Sequence, residues 1–132
     1  MNWDECLIKY AKSIKVDHEL IDSLIKSSKN KMTDSDKLEI DHIVASSKVS
    51  LAYESLRERL EAIAIFHGYK IYNHECFSSF INEILKEKDI ANEFDRIRRI
   101  RNKINYYGKE LDIKEALLII KDIKNIIFLL VH

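Results

Sequence analysis

Six arginines occur in the chain, and four of them, Arg96, Arg98, Arg99 and Arg101, fall within six consecutive positions. A guanidinium offers a planar fork of donors to a phosphate or a carboxylate, so the cluster points to phosphate binding or to a set of ion pairs. At 100° per residue on a helix, Arg98, Arg101 and Asn105 form one strip. Arg101 also lies between Ile97 and Ile104 of the apolar seam and is therefore expected to be partly buried. A partly buried guanidinium needs a carboxylate or carbonyl partner, because stranding it costs on the order of several kcal/mol. That partner is expected on the helix from Leu38 to His67, where Glu54, Glu58 and Glu61 make an acidic strip interleaved with Arg57, with Glu54 or Glu58 leading. The plainer alternative is a solvated face of i,i+3 and i,i+4 pairs, with Arg101 in a structural ion pair.

The elements that must position these residues follow from hydrophobic period. Trp3, Leu7, Tyr10 and Ile14 mark one face of a first helix ending near Val16. Asp17 can cap a short second helix carrying Leu20, Ile21, Leu24 and Ile25, and the polar stretch Ser27 to Asp36 reads as a linker. A long helix from about Leu38 carries Val49, Ala52, Leu56, Leu60 and Ile63 and stops at Gly68. Asn73 can cap the next, with Phe77, Phe80, Ile81 and Ile84 on its face, and Asp89 the one after. The latter bears the arginines together with Phe94, Ile97, Ile100, Ile104 and Tyr107, and stops at Gly108. Asp112 opens a last helix so apolar all round that it is expected to be either the centre of the bundle or part of a subunit interface.

Together these periods predict an all-α, antiparallel up-and-down bundle of five or six helices without a sheet, over 132 residues. Residues 1–36 are expected as an N-terminal helical extension and 38–131 as the core bundle of a single domain. The chain has no proline and two glycines, so little interrupts long helices or shapes hairpin turns. Hydrophobic residues at 46% and charged residues at 33% exclude a disordered chain. Net charge is zero, so any nucleic-acid contact must come from a local patch. Charges interrupt the most apolar stretch, Ile113 to Val131, which argues against a membrane span. The start, MNWDECLIKY, has no signal-peptide core, and Cys6 and Cys76 lack metal-ligand spacing. They are expected as reduced core thiols of a cytoplasmic protein, with neither a metal nor a cofactor.

The run FDRIRRIRNKINYYGKEL, with SLAYESLRERLEAIAIFHGYK and NHECF before it, resembles the HEPN superfamily, in particular its small stand-alone archaeal members. The likeness covers roughly Ser47 to Leu130 in helix order, lengths and motif placement. It implies a HEPN-like homodimer in which two arginine-bearing helices meet. It also implies a metal-independent RNA endonuclease, in which an arginine steadies the phosphate and a histidine assists proton transfer at the 2′-hydroxyl. Carried over residue by residue, Arg101 and Asn102 match the family's Arg-Asn pair, with Arg98, Arg99 and Asn105 beside them to bind RNA or a nucleotide. Glu54, Glu58 and Tyr107 stand in support.

The sequence departs from the family at the histidine. With four residues between it and Arg101, Tyr106 holds that place; counted from Arg99 with a gap of five, Asn105 does, followed by Tyr107. A phenol, with a reference pKa of ~10, is poorly matched to neutral pH, and an amide exchanges no proton. His67 and His74 flank the Gly68 turn and are expected as surface or capping residues, and both tyrosines as helix-end packing. Three functions are open: RNA or nucleotide binding with weak or lost cleavage, a non-enzymatic partner of a nucleotidyltransferase in a toxin-antitoxin-like pair with Tyr107 as its target, and an active endoribonuclease toxin using Arg101 and Tyr106.

Overall fold

The computed structural model describes residues 1–130. Their order is α1 (Trp3–Lys9), β1 (Ala11–Ser13), α2 (His18–Lys37), α3 (Ala45–Phe66), β2 (Tyr69–Ile71), α4 (Glu75–Glu83), α5 (Lys88–Tyr107) and α6 (Ile113–Leu130). The molecule is an all-α bundle of six helices carrying one small two-stranded sheet among the described residues. No helix among those residues is long and apolar enough to cross a membrane.

The sheet corrects the expectation of none. α1 ends at Lys9, short of Val16, and Ala11, Lys12 and Ser13 pair antiparallel with Ile71, Lys70 and Tyr69. Backbone bonds from Ile14 N to Gly68 O (2.8 Å) and from Tyr72 N to Tyr10 O (2.7 Å) extend the ladder at both ends. Strands of three residues are too short to display an alternating pattern, and their pairing joins segments far apart in sequence.

α2 holds a second correction, since Ser27 to Asp36 is helix rather than linker. Its serines explain this. Ser28 Oγ donates to Ser55 O (2.6 Å), Ser55 Oγ to Ser28 O (2.7 Å), and Ser35 Oγ to Lys48 O (2.9 Å), so Ser28 and Ser35 form a polar strip that zips α2 antiparallel onto α3. Asp17 Oδ1 caps the start of α2 by accepting from Leu20 N at 3.0 Å. The true connection is 38–44, and Asp41 Oδ1 accepts from Ile43 N and Val44 N ahead of α3.

α3 is the central helix. Ala45, Val49, Ala52, Tyr53, Leu56, Leu60 and Ala64 are buried along it, and it packs against α2, α5, α6 and β2. α6 is therefore not the centre: it buries Ala116, Ile119, Ile120, Ile123 and Ile126 and leaves Ile113, Leu117, Leu118 and Leu129 exposed. The core joins Trp3 of α1 to Phe80 of α4 and runs on through Phe94 of α5 to Ile123 of α6. Gly68 (φ +87°) and Gly108 (φ +63°) adopt the left-handed conformation that ends α3 and α5. Asp112 Oδ1 accepts from Glu115 N at 2.7 Å and opens α6. Asp89 lies within the first turn of α5 rather than capping it.

Cys6 and Cys76 are joined in a disulfide, which corrects the expectation of free thiols and removes the argument for a reducing compartment drawn from them. Both half-cystines are fully buried and pin α1 against the first turn of α4.

Candidate functional site

Arg101 reaches α3 from the second turn from the end of α5 because its strip turns inward beside Ile97 and Ile104. Its side chain is 19% exposed, and Nη2 meets Glu54 Oε1 at 3.3 Å. Its Cζ lies 5.2 Å from the ring centroid of Tyr53, whose quadrupole favours a cation on that face. With the amide oxygen of Asn105 turned toward the guanidinium, it accepts from Nε (3.0 Å) and Nη2 (3.2 Å). A carboxylate, an aromatic face and an amide thus hold one guanidinium.

Glu54 is shared. Its Oε2 accepts from Arg57 Nε at 2.8 Å, and Arg57 Nη1 donates to Glu61 Oε2 at 3.0 Å. Glu61 in turn pairs with Lys70 of β2, so the chain of charges runs from α5 across α3 to the sheet. Tyr53 is buried, and its hydroxyl is hydrogen-bonded to His74 Nδ1 at 3.0 Å. Burial raises the Tyr53 phenol far above its ordinary range, against the pull of Arg101. Burial, then Arg57 and Arg101, lower the pKa of His74, which favours a neutral imidazole near neutral pH.

The four clustered arginines do not form one patch. Arg96 turns toward α6 and pairs with Asp122 (2.7 Å) and Glu93 (3.0 Å). Arg98 and Arg99 share Asp95, at 2.9 and 2.7 Å, with Arg98 half-buried and Arg99 70% exposed. Helical rotation separates them, and each has a carboxylate within reach. Asn102 is half-buried on the same helix.

The remaining expected residues lie elsewhere. Glu58 is buried and pairs with Lys31 of α2, not with Arg101. Tyr106 and Tyr107 are 74% and 84% exposed and do not pack at the helix end, where Ile104 is the residue of the last turn that packs against the core. His67 is exposed and stacks edge-on against Phe80. A cavity of about 570 Å³ opens between the N-terminus, α4 and α5; Ser78, Asn82, Asp95 and Arg99 line it, and Arg101 does not. Among the described residues, no group of three or more His, Cys, Asp or Glu side chains is placed to hold a metal ion.

Sequence reasoning missed Tyr53 and gave His74 only a capping role. Tyr53 sits beside Ala52 on the buried stripe of α3, where period marks it as core and says nothing of its hydroxyl. No protein-family model matches the chain, and no curated protein matches it in sequence.

Proposed function

We propose that the protein is a HEPN-like homodimer that binds RNA or a nucleotide at a basic cleft around Arg101, with ribonuclease activity weak or lost. The observation that supports this reading is the way Arg101 is held: Glu54, Tyr53 and Asn105 orient its guanidinium while part of it stays open to solvent. A guanidinium fixed in this manner meets a phosphate without first losing its conformational freedom.

Cleavage without metal needs one group to accept the 2′-hydroxyl proton and another to protonate the leaving oxygen. The imidazole near Arg101 is His74, whose pKa is lowered by burial and then by Arg57 and Arg101, and whose Nδ1 is occupied by Tyr53. Binding with slow turnover follows. The test is fluorescence anisotropy of a short labelled RNA in chelator, with strand integrity read on a gel. Arg101→Ala weakens binding about tenfold, as expected for a charge-assisted contact, and the RNA stays largely intact. Rapid metal-independent cleavage abolished by Tyr106→Phe overturns the reading and restores the active endoribonuclease.

Exposure of Tyr107 favours a second reading, as the partner of a nucleotidyltransferase in a toxin-antitoxin-like pair with that hydroxyl as acceptor. A mass increment of one nucleotidyl group after incubation with such an enzyme, absent in Tyr107→Phe, supports it. Either reading places the protein in the cytoplasm, where complete burial would shield the Cys6–Cys76 bond from thiol exchange.

A further inference from the structure

Arg59 stands two residues beyond Arg57 on α3 and so faces the other side of that helix. Arg57, Glu54, Glu58 and Glu61 all have oppositely charged partners. Arg59 has none among the described residues, and its Nε is buried without a hydrogen-bond partner. Arg59 as a whole is half-buried, and no carboxylate among the described residues offsets that partial burial.

The same guanidinium stands at the junction of two grooves. On one side lies an apolar groove of about 360 Å³, floored by the α3 strip Arg59, Ala62, Ile63 and Phe66. Ile21 and Ile25 of α2 form one wall, and Leu85 and Leu130 also line it. On the other side, Lys29, Thr33, Asp36 and Lys124 make a polar groove that also contains Arg59. From Arg59 to Phe66 the strip rises about 10 Å along the helix axis, the reach of a medium-chain acyl group.

We infer that this groove binds a medium-chain carboxylate, with the acyl tail along Ile21, Ile25, Ile63 and Phe66 and the carboxylate on the unpaired Arg59 guanidinium. The division into an apolar trough, the Arg59 guanidinium without a carboxylate partner among the described residues, and a polar exit that carries Lys29 matches an anionic amphiphile end to end. A neutral or cationic ligand would leave Arg59 without its counter-charge. The site lies on the face of α3 opposite Arg57 and is independent of the RNA reading.

The test is a titration of the full chain with decanoate, followed by the methyl resonances of Ile21, Ile25 and Ile63 in NMR spectra. The expected result is saturable movement of those methyls. Affinity should be about tenfold lower for 1-decanol, which has the same tail without the charge, and for Arg59→Gln, whereas Lys114→Gln changes nothing. The comparison of decanoate with decanol uses the unaltered protein and so stands even if Arg59→Gln folds poorly. Equal binding of the two probes identifies a plain apolar surface and overturns the proposal. So does unchanged decanoate binding in a folded Arg59→Gln variant, an absence of saturation, or movement confined to Leu117 and Leu118 on the outer face of α6.

Discussion

The guanidinium of Arg101 on α5 lies over the ring of Tyr53 on α3, with Cζ 5.2 Å from the ring centroid and Nη2 on the carboxylate of the next residue, Glu54. This arrangement uses the planarity of the group and not only its charge. Arg101→Lys should therefore cost about 1 kcal/mol of stability, because an ammonium cannot lie flat on Tyr53 while reaching both Glu54 and Asn105. Urea denaturation of the two proteins measures the difference.

Glu54 serves two cations, Arg57 and Arg101. Glu54→Gln leaves both in partly buried positions without their shared counter-charge and should destabilise the fold by about 1–2 kcal/mol. Thermal unfolding at low and high salt checks the origin of the loss: the gap to the native protein should narrow as salt screens the two guanidiniums.

His74 gives a pH dependence of definite sign. Its folded pKa lies below the ordinary 6.5, so in mildly acidic solution the unfolded chain binds more protons at this site than the native protein does. The histidine's contribution is fully present above about pH 6.5 and is lost as pH falls from there through the depressed folded value. Unfolding free energies compared between pH 7.5 and 5.5 should fall less in His74→Gln than in the native chain.

The Cys6–Cys76 bond closes a loop across a sequence separation of 70 residues. Closure of so long a loop corresponds to about 4 kcal/mol in the chain-entropy description. Cys6→Ser with Cys76→Ser should lower the melting temperature far more than any single ion-pair change above, and reductant should reproduce the effect in the native chain once it unfolds far enough to expose the sulfurs.

The proposed dimer is checked by mass. Light scattering at micromolar concentration should return about twice the 15.6 kDa of one chain. Leu118→Glu, on the exposed face of α6, should shift the protein toward monomer, since a carboxylate buried in an apolar interface is strongly penalised.

What could be read from sequence was local and periodic. The seam of α5, the stops at Gly68 and Gly108 and the opening of α6 at Asp112 all follow from residue spacing along single helices, and the same spacing marks Arg101 as partly buried and in need of a carboxylate, without choosing Glu54 over Glu58. What could not be read depends on partners distant in sequence. Ser28 and Ser35 look like linker residues until Ser55 and Lys48 stand opposite them. The β1–β2 pair and the Cys6–Cys76 bond join segments whose approach no local pattern announces. The Tyr53–His74 hydrogen bond arises only because α4 folds back beside α3.

The most direct test of the central claim, that Arg101 is a phosphate ligand, is the salt dependence of RNA binding. Plotted as log affinity against log salt, the native protein should give a steep negative slope. Arg101→Ala should reduce that slope by about 0.7, the loss of one single-strand phosphate contact, and weaken binding to unrelated RNA sequences alike. An unchanged slope and affinity in a folded Arg101→Ala protein would contradict the account and leave Arg101 a structural ion pair with Glu54.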